Sequence, residues 1–340
     1  IQIANERDEA QRQTRLAQES LDFLAGMFEA ADPDVAQNHD LSAIDVLDIG
    51  ASRIEKELSD QPEIQSNLYM TLGKTYWRLG QYEKADQMVS RAVQINESLY
   101  SNDLVMRFDA LILKATLEGT AGDAALATEM LDDLARRAEQ EFGANHVRTL
   151  RARNNLGTEY FYSGQLDRAL ELYEDVYRRK VDSFGRGDET TLSTAVNLVQ
   201  SYVKRGDAGR AMEFGKENLA IAEDALGPLH TVTIGLINNV AAAVYRAEGA
   251  PASIPYYEDG LQRSEQVFGR QSLTVARKRA QIGSILADAG ELEHGEAMQR
   301  EALETMAAIT GLDDARVQVA RSNYAMTLGL MGRHDEVLEM

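Results

Sequence analysis

Five amides recur at a fixed interval. Asn155, Asn197 and Asn239 stand 42 residues apart, and the same step reaches Gln281 and Asn323. A primary amide donates and accepts at once, so a row of them can pair with an extended peptide backbone and bind it without strict sequence preference. The constant step gives successive amides the same rotational setting, which makes a ladder along one face. The same amides could instead brace neighbouring helices, since side-chain hydrogen bonds often go to backbone. The sequence leaves both uses open.

No other set of residues has the spacing that catalysis or metal binding needs. Gly73-Lys74-Thr75 matches the end of a phosphate-binding loop, but Leu68 stands where that loop requires its first glycine. His39, His146, His230, His294 and His334 form no metal-ligand pair and no His-Glu-x-x-His motif. The carboxylates are many and scattered, as on a solvated face. Arg186-Gly187-Asp188 and Arg205-Gly206-Asp207 fall at repeat turns, so an adhesion role is unwarranted. There is no cysteine, hence no disulfide framework and no thiolate site. The expectation is no catalytic residue, no metal site and no cofactor.

Charge narrows the partners. A formal net charge of −20 excludes broad binding to nucleic acid or anionic lipid, both of which need a basic face. The longest uncharged run, 225–245, is broken by Gly227-Pro228, His230 and Asn238-Asn239, so it is not a membrane span. The chain begins at Ile1 rather than Met and stops inside a repeat at Met340, which predicts a piece of a longer protein.

The elements that must carry the amides follow from the repeat itself. Gly143 recurs as Gly185, Gly227, Gly269 and Gly311. In each unit a first helix pairs a large residue with a small one: Leu72-Gly73, Leu156-Gly157, Leu198-Val199, Val240-Ala241, Ile282-Gly283 and Tyr324-Ala325. Another large residue follows four positions later, as Tyr76, Tyr160, Tyr202, Val244, Leu286 or Leu328. A glycine closes the helix, at Gly80, Gly122, Gly164, Gly206, Gly249, Gly290 and Gly332, with one local slip around Gly249. The second helix then carries a small residue, Ala85, Ala127, Ala169, Ala211, Ser253, Gly295 or Val337. Its expected core residue is Met88, Met130, Leu172, Phe214, Tyr256 or Met298. His146, Asp188, His230, Ser272 and Asp314 share the position before the first helix, where Asp and Ser are good caps. The second repeat is degenerate, because Lys114 stands where a leucine is expected.

A period of this size predicts an all-α solenoid of antiparallel helix pairs, each stacked on its neighbours. About seven repeats are expected, near 63–100, 101–142, 143–184, 185–226, 227–268, 269–310 and 311–340. Residues 1–62 read as capping helices. The first covers 1–31 with a packing stripe of Leu21, Leu24, Met27 and Phe28. The second runs from Ser42 to Leu58 and starts on a Ser42/Asp45 cap.

The pattern Leu-Gly-x-x-Tyr, Gly, then Ala resembles the tetratricopeptide repeat. Its 42-residue form, with Gly-x-x-His/Asp-x-x-Thr-Leu between units, is similar to the kinesin light chain type over about 63–340. Residues 4–62, with Leu21-Asp-Phe23-Leu24, Asp32-Pro33, Leu47-Asp-Ile-Gly50-Ala51 and Gln61-Pro62-Glu63, resemble the segment that joins the membrane helix to such an array in bacterial receptor-type serine/threonine protein kinases.

The resemblance implies a right-handed superhelix whose first helices line a concave face. It implies contact of Asn155, Asn197, Asn239, Gln281 and Asn323 with a bound peptide. Arg151, Lys204, Arg246 and Arg277 fall on or near that face and suggest an acidic or C-terminal carboxylate ligand. The same four could equally be solvated charges paired with neighbouring Asp and Glu. The function expected is a protein- or peptide-binding scaffold, the non-catalytic sensor or regulatory region of a bacterial serine/threonine protein kinase. The resemblance implies a membrane-anchored parent and leaves open which side of the membrane the array occupies. The rival reading is a self-association module, a homodimer, of the same or another signalling protein such as a cyclase or a transcription regulator. Nucleic acid and direct membrane insertion are not expected.

Overall fold

The computed structural model describes residues 14, 18–23, 25–26 and 42–339, except 102 and 313. Among these residues every regular element is an α-helix. The chain divides into two compact units, Ile1–Ser163 and Gly164–Met340.

Unit 1 contains α1 (Ala43–Glu57), α2 (Pro62–Arg78), α3 (Tyr82–Leu99), α4 (Leu104–Ala121), α5 (Ala124–Phe142) and α6 (Val147–Tyr162). Helix α1 opens on the expected capping box: the Asp45 amide donates to Ser42 Oγ at 3.2 Å and the Ser42 amide to Asp45 Oδ2 at 2.9 Å. Its Ile54 is fully buried, and Ile44, Leu47, Ala51 and Leu58 pack with it against α2 and α3. Of the expected first-helix stripe, Leu21 is exposed, and Phe23 packs on this core instead. Leu24, Met27 and Phe28 lie outside the described residues. The Arg53 guanidinium ties the two segments, lying over the Phe23 ring and donating to the Gly26 carbonyl at 2.9 Å.

Unit 2 contains α7 (Leu166–Phe184), α8 (Glu189–Arg205), α9 (Ala208–Ala225), α10 (Thr231–Glu248), α11 (Ala250–Phe268), α12 (Leu273–Asp288), α13 (Leu292–Thr310), α14 (Ala315–Leu330) and α15 (His334–Glu339). Short turns join the helices. At Gly206 the backbone reaches φ 97°, which lets the Gly206 and Asp207 amides both reach the Tyr202 carbonyl and close α8. The slip near Gly249 has a simple cause: α10 runs into α11 through that single glycine, at φ 94° and ψ 178°.

The shared position before each first helix is a cap throughout. Asp188 Oδ1, Ser272 Oγ and Asp314 Oδ1 accept amides of their own first turns at 3.0, 3.3 and 2.8 Å. His146 and His230 do the same through Nδ1, accepting from Arg148 N and Val232 N. The small residues sit where helices touch. Ala85, Ala127, Ala169, Ala211 and Ser253 are fully buried. A Cβ added at Gly295 would lie 2.5 Å from the Gly283 carbonyl oxygen, so α12 and α13 meet at backbone contact there.

Met88 is buried as expected, but in the later second helices the core is displaced by one residue. Met130, Leu172, Phe214, Tyr256 and Met298 are only partly buried. The buried stripe runs through Val89, Leu131, Tyr173, Tyr257 and Gln299. Each of these lies four residues past the small residue, on the same helical face, whereas a step of three leans to its edge. Tyr160 is also partly exposed rather than core. In the degenerate second repeat α4 and α5 both form. Lys114 lies between Asp86 and Glu118, and Ala115 fills the small position.

Candidate functional site

The first helices of unit 2 line an open cavity of about 920 Å³. Helix α8 contributes Val203, α10 contributes Ala242, Tyr245 and Arg246, α12 contributes Arg277, Lys278, Gln281 and Ser284, and α14 contributes Arg316 and Asn323. The walls between them are apolar: Ile285, Met306, Val319 and Ala320. Among its described residues the lining holds four cationic side chains and no carboxylate. That is unusual in a chain with 55 acidic and 35 basic residues.

The cations differ in their partners. Arg316 is held by Asp314, with Nη2 to Oδ2 at 2.6 Å, and this bond lowers the Asp314 carboxyl to about 2. Arg246, Arg277 and Lys278 make no ion pair with any described carboxylate. Burial and, secondarily, the adjacent Arg277 charge lower the Lys278 amine to about 8. Tyr257 forms part of the wall. Burial pushes its phenol up to about 12, with Tyr245 adding to the effect while Gln281 and Arg246 oppose it. At the rim the Tyr245 hydroxyl donates to Asp288 Oδ2 at 2.8 Å.

The cavity gathers four of the nine residues expected at the site: Arg246, Arg277, Gln281 and Asn323. Asn197, Asn239 and Lys204 lie on α8 and α10 outside its lining. The Asn239 amide donates to the Val196 carbonyl of α8 at 3.0 Å, which is a bond between helices. Arg151 and Asn155 belong to α6 in unit 1. There Asn155 Nδ2 donates to the Arg151 carbonyl at 3.0 Å, and the Arg151 guanidinium pairs with Asp109.

Lys278 was not among the expected residues, yet the repeat contains the signal. Its counterparts at the same phase are Leu68, Ala110, Ala152, Thr194, Leu236 and Ala320, all buried and uncharged. A lysine at a core phase is the anomaly that a comparison of repeats exposes. The other buried cations of unit 2 are satisfied. Lys180 donates to the Thr190 carbonyl at 2.8 Å and to Thr194 Oγ1 at 3.0 Å. Arg279 pairs with Glu265 and with Glu301.

Unit 1 has a smaller cavity of about 640 Å³, where Lys74 and Arg148 share the lining with Glu63 and Asp109. Gly73-Lys74-Thr75 lies inside α2, and a Cβ at Gly73 would meet the Val89 side chain, so this glycine serves helix packing. Among the described residues no cluster of His, Asp and Glu could hold a metal ion, and no helix is long and apolar enough to cross a membrane.

Comparisons with known proteins agree on the architecture. Family models described as tetratricopeptide repeat match residues 66–99, 106–180 and 191–231. No curated protein matches the chain. Among solved structures, BtubC (BKLC) from P. vanneervenii is 19% identical with a TM-score of 0.58, covering 68% of this chain and 92% of its own. The nearly identical TPR-like repeats of a Podosopora anserina protein described as a kinesin light chain are 19% identical with a TM-score of 0.50, covering 60% of this chain and 97% of theirs. Aspartyl phosphate phosphatase F from Bacillus subtilis is 15% identical with a TM-score of 0.58, covering 90% and 75%. At such identities the likeness concerns the fold. Together with the capped helix pairs and their 42-residue phase, these matches show that the chain contains tetratricopeptide repeats, which make a scaffold suited to protein–protein interaction.

Proposed function

We propose that unit 2 binds an extended, acidic segment of a partner protein in the 920 Å³ cavity. The observation that carries this reading is a lining with four cations and no described carboxylate, within a chain of net charge −20. Local positive charge of this kind steers and orders acidic partners. Gln281 and Asn323 would pair with the backbone of the segment, and Arg246 and Arg277 with its carboxylates. Val203 already lines the cavity, so Lys204 and Asn197 of the same helix would extend the contact. Arg151 and Asn155 would offer unit 1 a contact of its own.

Calorimetry with a pool of degenerate Asp/Glu-rich peptides tests this. Binding is expected to weaken at least tenfold in the Arg246→Glu/Arg277→Glu variant. Equal affinity for the variant would overturn the reading.

We further propose that the chain is the non-catalytic sensor or regulatory region of a bacterial serine/threonine protein kinase with a membrane-anchored parent. The support is the resemblance of residues 4–62 to the segment that precedes such arrays. Reading the gene upstream of the Ile1 codon tests it: a cyclase or a transcription regulator there would overturn it.

Self-association is the second reading. It is favoured by exposed Val319, Met326 and Leu330 on α14 and Leu338 on α15. Sedimentation velocity across a hundredfold concentration range should then show a dimer, and a monomer throughout would exclude it.

A further inference from the structure

Lys278 occupies a phase at which every other described repeat buries an uncharged side chain, from Leu68 through Ala320. It is partly buried, opens into the 920 Å³ cavity, and makes no hydrogen bond or ion pair with a described residue. Removing a charge from water without a partner is unfavourable, and buried charges are ordinarily paired. Lys180 and Arg279, elsewhere in unit 2, follow that rule with their carbonyl, hydroxyl and carboxylate partners. The chain neighbour Arg277 lines the same cavity and is likewise without a carboxylate. The site therefore holds two adjacent uncompensated cations.

The backbone adds to this. Thr274 lies in the first turn of α12, and Ala315 and Arg316 in the first turn of α14, and all three line the cavity. Helix starts carry partial positive charge that favours anions. Their caps, Ser272 and Asp314, satisfy part of it. One carboxylate would neutralise only one of the two cations, the partly buried Lys278 or the exposed Arg277 beside it. A phosphate monoester carries about 1.5–2 negative charges at neutral pH and three strong acceptor oxygens, which matches the pair.

We propose that Arg277 and Lys278 form a subsite for the phosphoryl group of a phosphorylated side chain, so that the acidic segment bound by unit 2 is a phosphopeptide. This rests on the cavity being the peptide site proposed above and names its ligand class. Burial, and after it the Arg277 charge, penalise the charged Lys278 amine, and a bound dianion would favour that charged form again.

The test uses three degenerate peptide pools, identical but for a central phosphoserine, glutamate or serine, titrated by fluorescence polarisation at fixed salt. Phosphoserine is expected to bind at least tenfold tighter than glutamate, and inorganic phosphate to compete. Lys278→Met should erase that preference without loss of fold, since Leu236 shows that the phase accepts an apolar side chain. Its melting temperature, read alongside, should hold or rise. Equal binding of the phosphoserine and glutamate pools would overturn the phosphoryl subsite and leave the acidic-segment reading standing. A preference that persists in folded Lys278→Met would remove Lys278 from the site and overturn the proposal. Binding of none of the pools would overturn both readings.

Discussion

The Tyr202 hydroxyl donates to Glu174 Oε1 at 2.7 Å, and the same 28-residue reach joins Tyr76 to Asp48 and Tyr324 to Glu296, each also at 2.7 Å. In all three cases a cation meets the same carboxylate: Arg210 at Glu174, Lys84 at Asp48 and Arg333 at Glu296. A tyrosine on the first helix of one pair is thus tied to the helix before it, alongside its apolar contacts. Burial, then the carboxylate, push these phenols up, Tyr324 to about 12 and the other two further.

Tyr202→Phe keeps the ring and removes the bond, so unfolding free energy should fall by about 0.5–1.5 kcal/mol. Urea unfolding measures it. An unchanged midpoint would mean that water replaces the phenol at Glu174 without cost.

Alkaline pH should first stabilise the protein and then weaken it. The folded Lys180 amine sits at about 8, below its ordinary 10.5, because burial penalises its charge, and Lys278 shifts the same way. Between about 8 and 10.5 the unfolded chain holds more protons, so stability rises with pH over that window. The buried phenols act oppositely. Tyr257 and Tyr324 titrate near 12 in the fold against 10 when unfolded, so stability falls above pH 10. Lys180→Met should be more stable near neutrality by on the order of 1–3 kcal/mol and should flatten the rise from pH 8 to 10. Denaturant titrations at the two pH values decide this, and an unaltered slope in the variant would count against the assignment.

Two glycines make opposite predictions. Gly295→Ala places a methyl against the Gly283 carbonyl and should cost roughly 1–3 kcal/mol. Gly209, in the first turn of α9, has nothing within 4 Å of an added Cβ, so Gly209→Ala should stabilise by about 0.5 kcal/mol. Thermal unfolding of both variants checks the pair, and a loss at Gly209 would show that the site is less open than described.

The amides should separate by role. Asn239→Ala removes the bond to Val196 and should lower stability by about 0.5–1.5 kcal/mol while leaving peptide affinity per folded molecule unchanged. Gln281→Ala, at an exposed position on the cavity, should do the reverse. Melting temperature and affinity read on the same samples distinguish the two, and identical behaviour would collapse the distinction.

The caps, the small residues and the closing glycines were legible in the sequence because each depends on local backbone geometry, which residue type reports directly. The buried stripe of the second helices was off by one after Met88, since Tyr256 and Tyr257 are equally good core residues by type and only packing chooses between them. The carboxylate partners of Tyr76, Tyr202 and Tyr324 were illegible for a different reason: in a chain with 55 acidic residues no single one stands out. Asn239 and Gln281 share a phase and an amide, yet one faces a neighbouring carbonyl and the other the cavity. Lys278 was within reach, because its departure from the phase occupied by Leu236 and Ala320 needs no coordinates to be seen.

The backbone contact between Gly283 and Gly295 has a kinetic consequence. Helix α12, which carries Arg277, Lys278 and Gln281, is held against α13 by close backbone approach at these two glycines. An incoming ligand therefore meets cations already in place and does not wait for a rearrangement. Association with an anionic peptide should be a single fast phase, and its rate constant should fall steeply as ionic strength rises, while dissociation changes little.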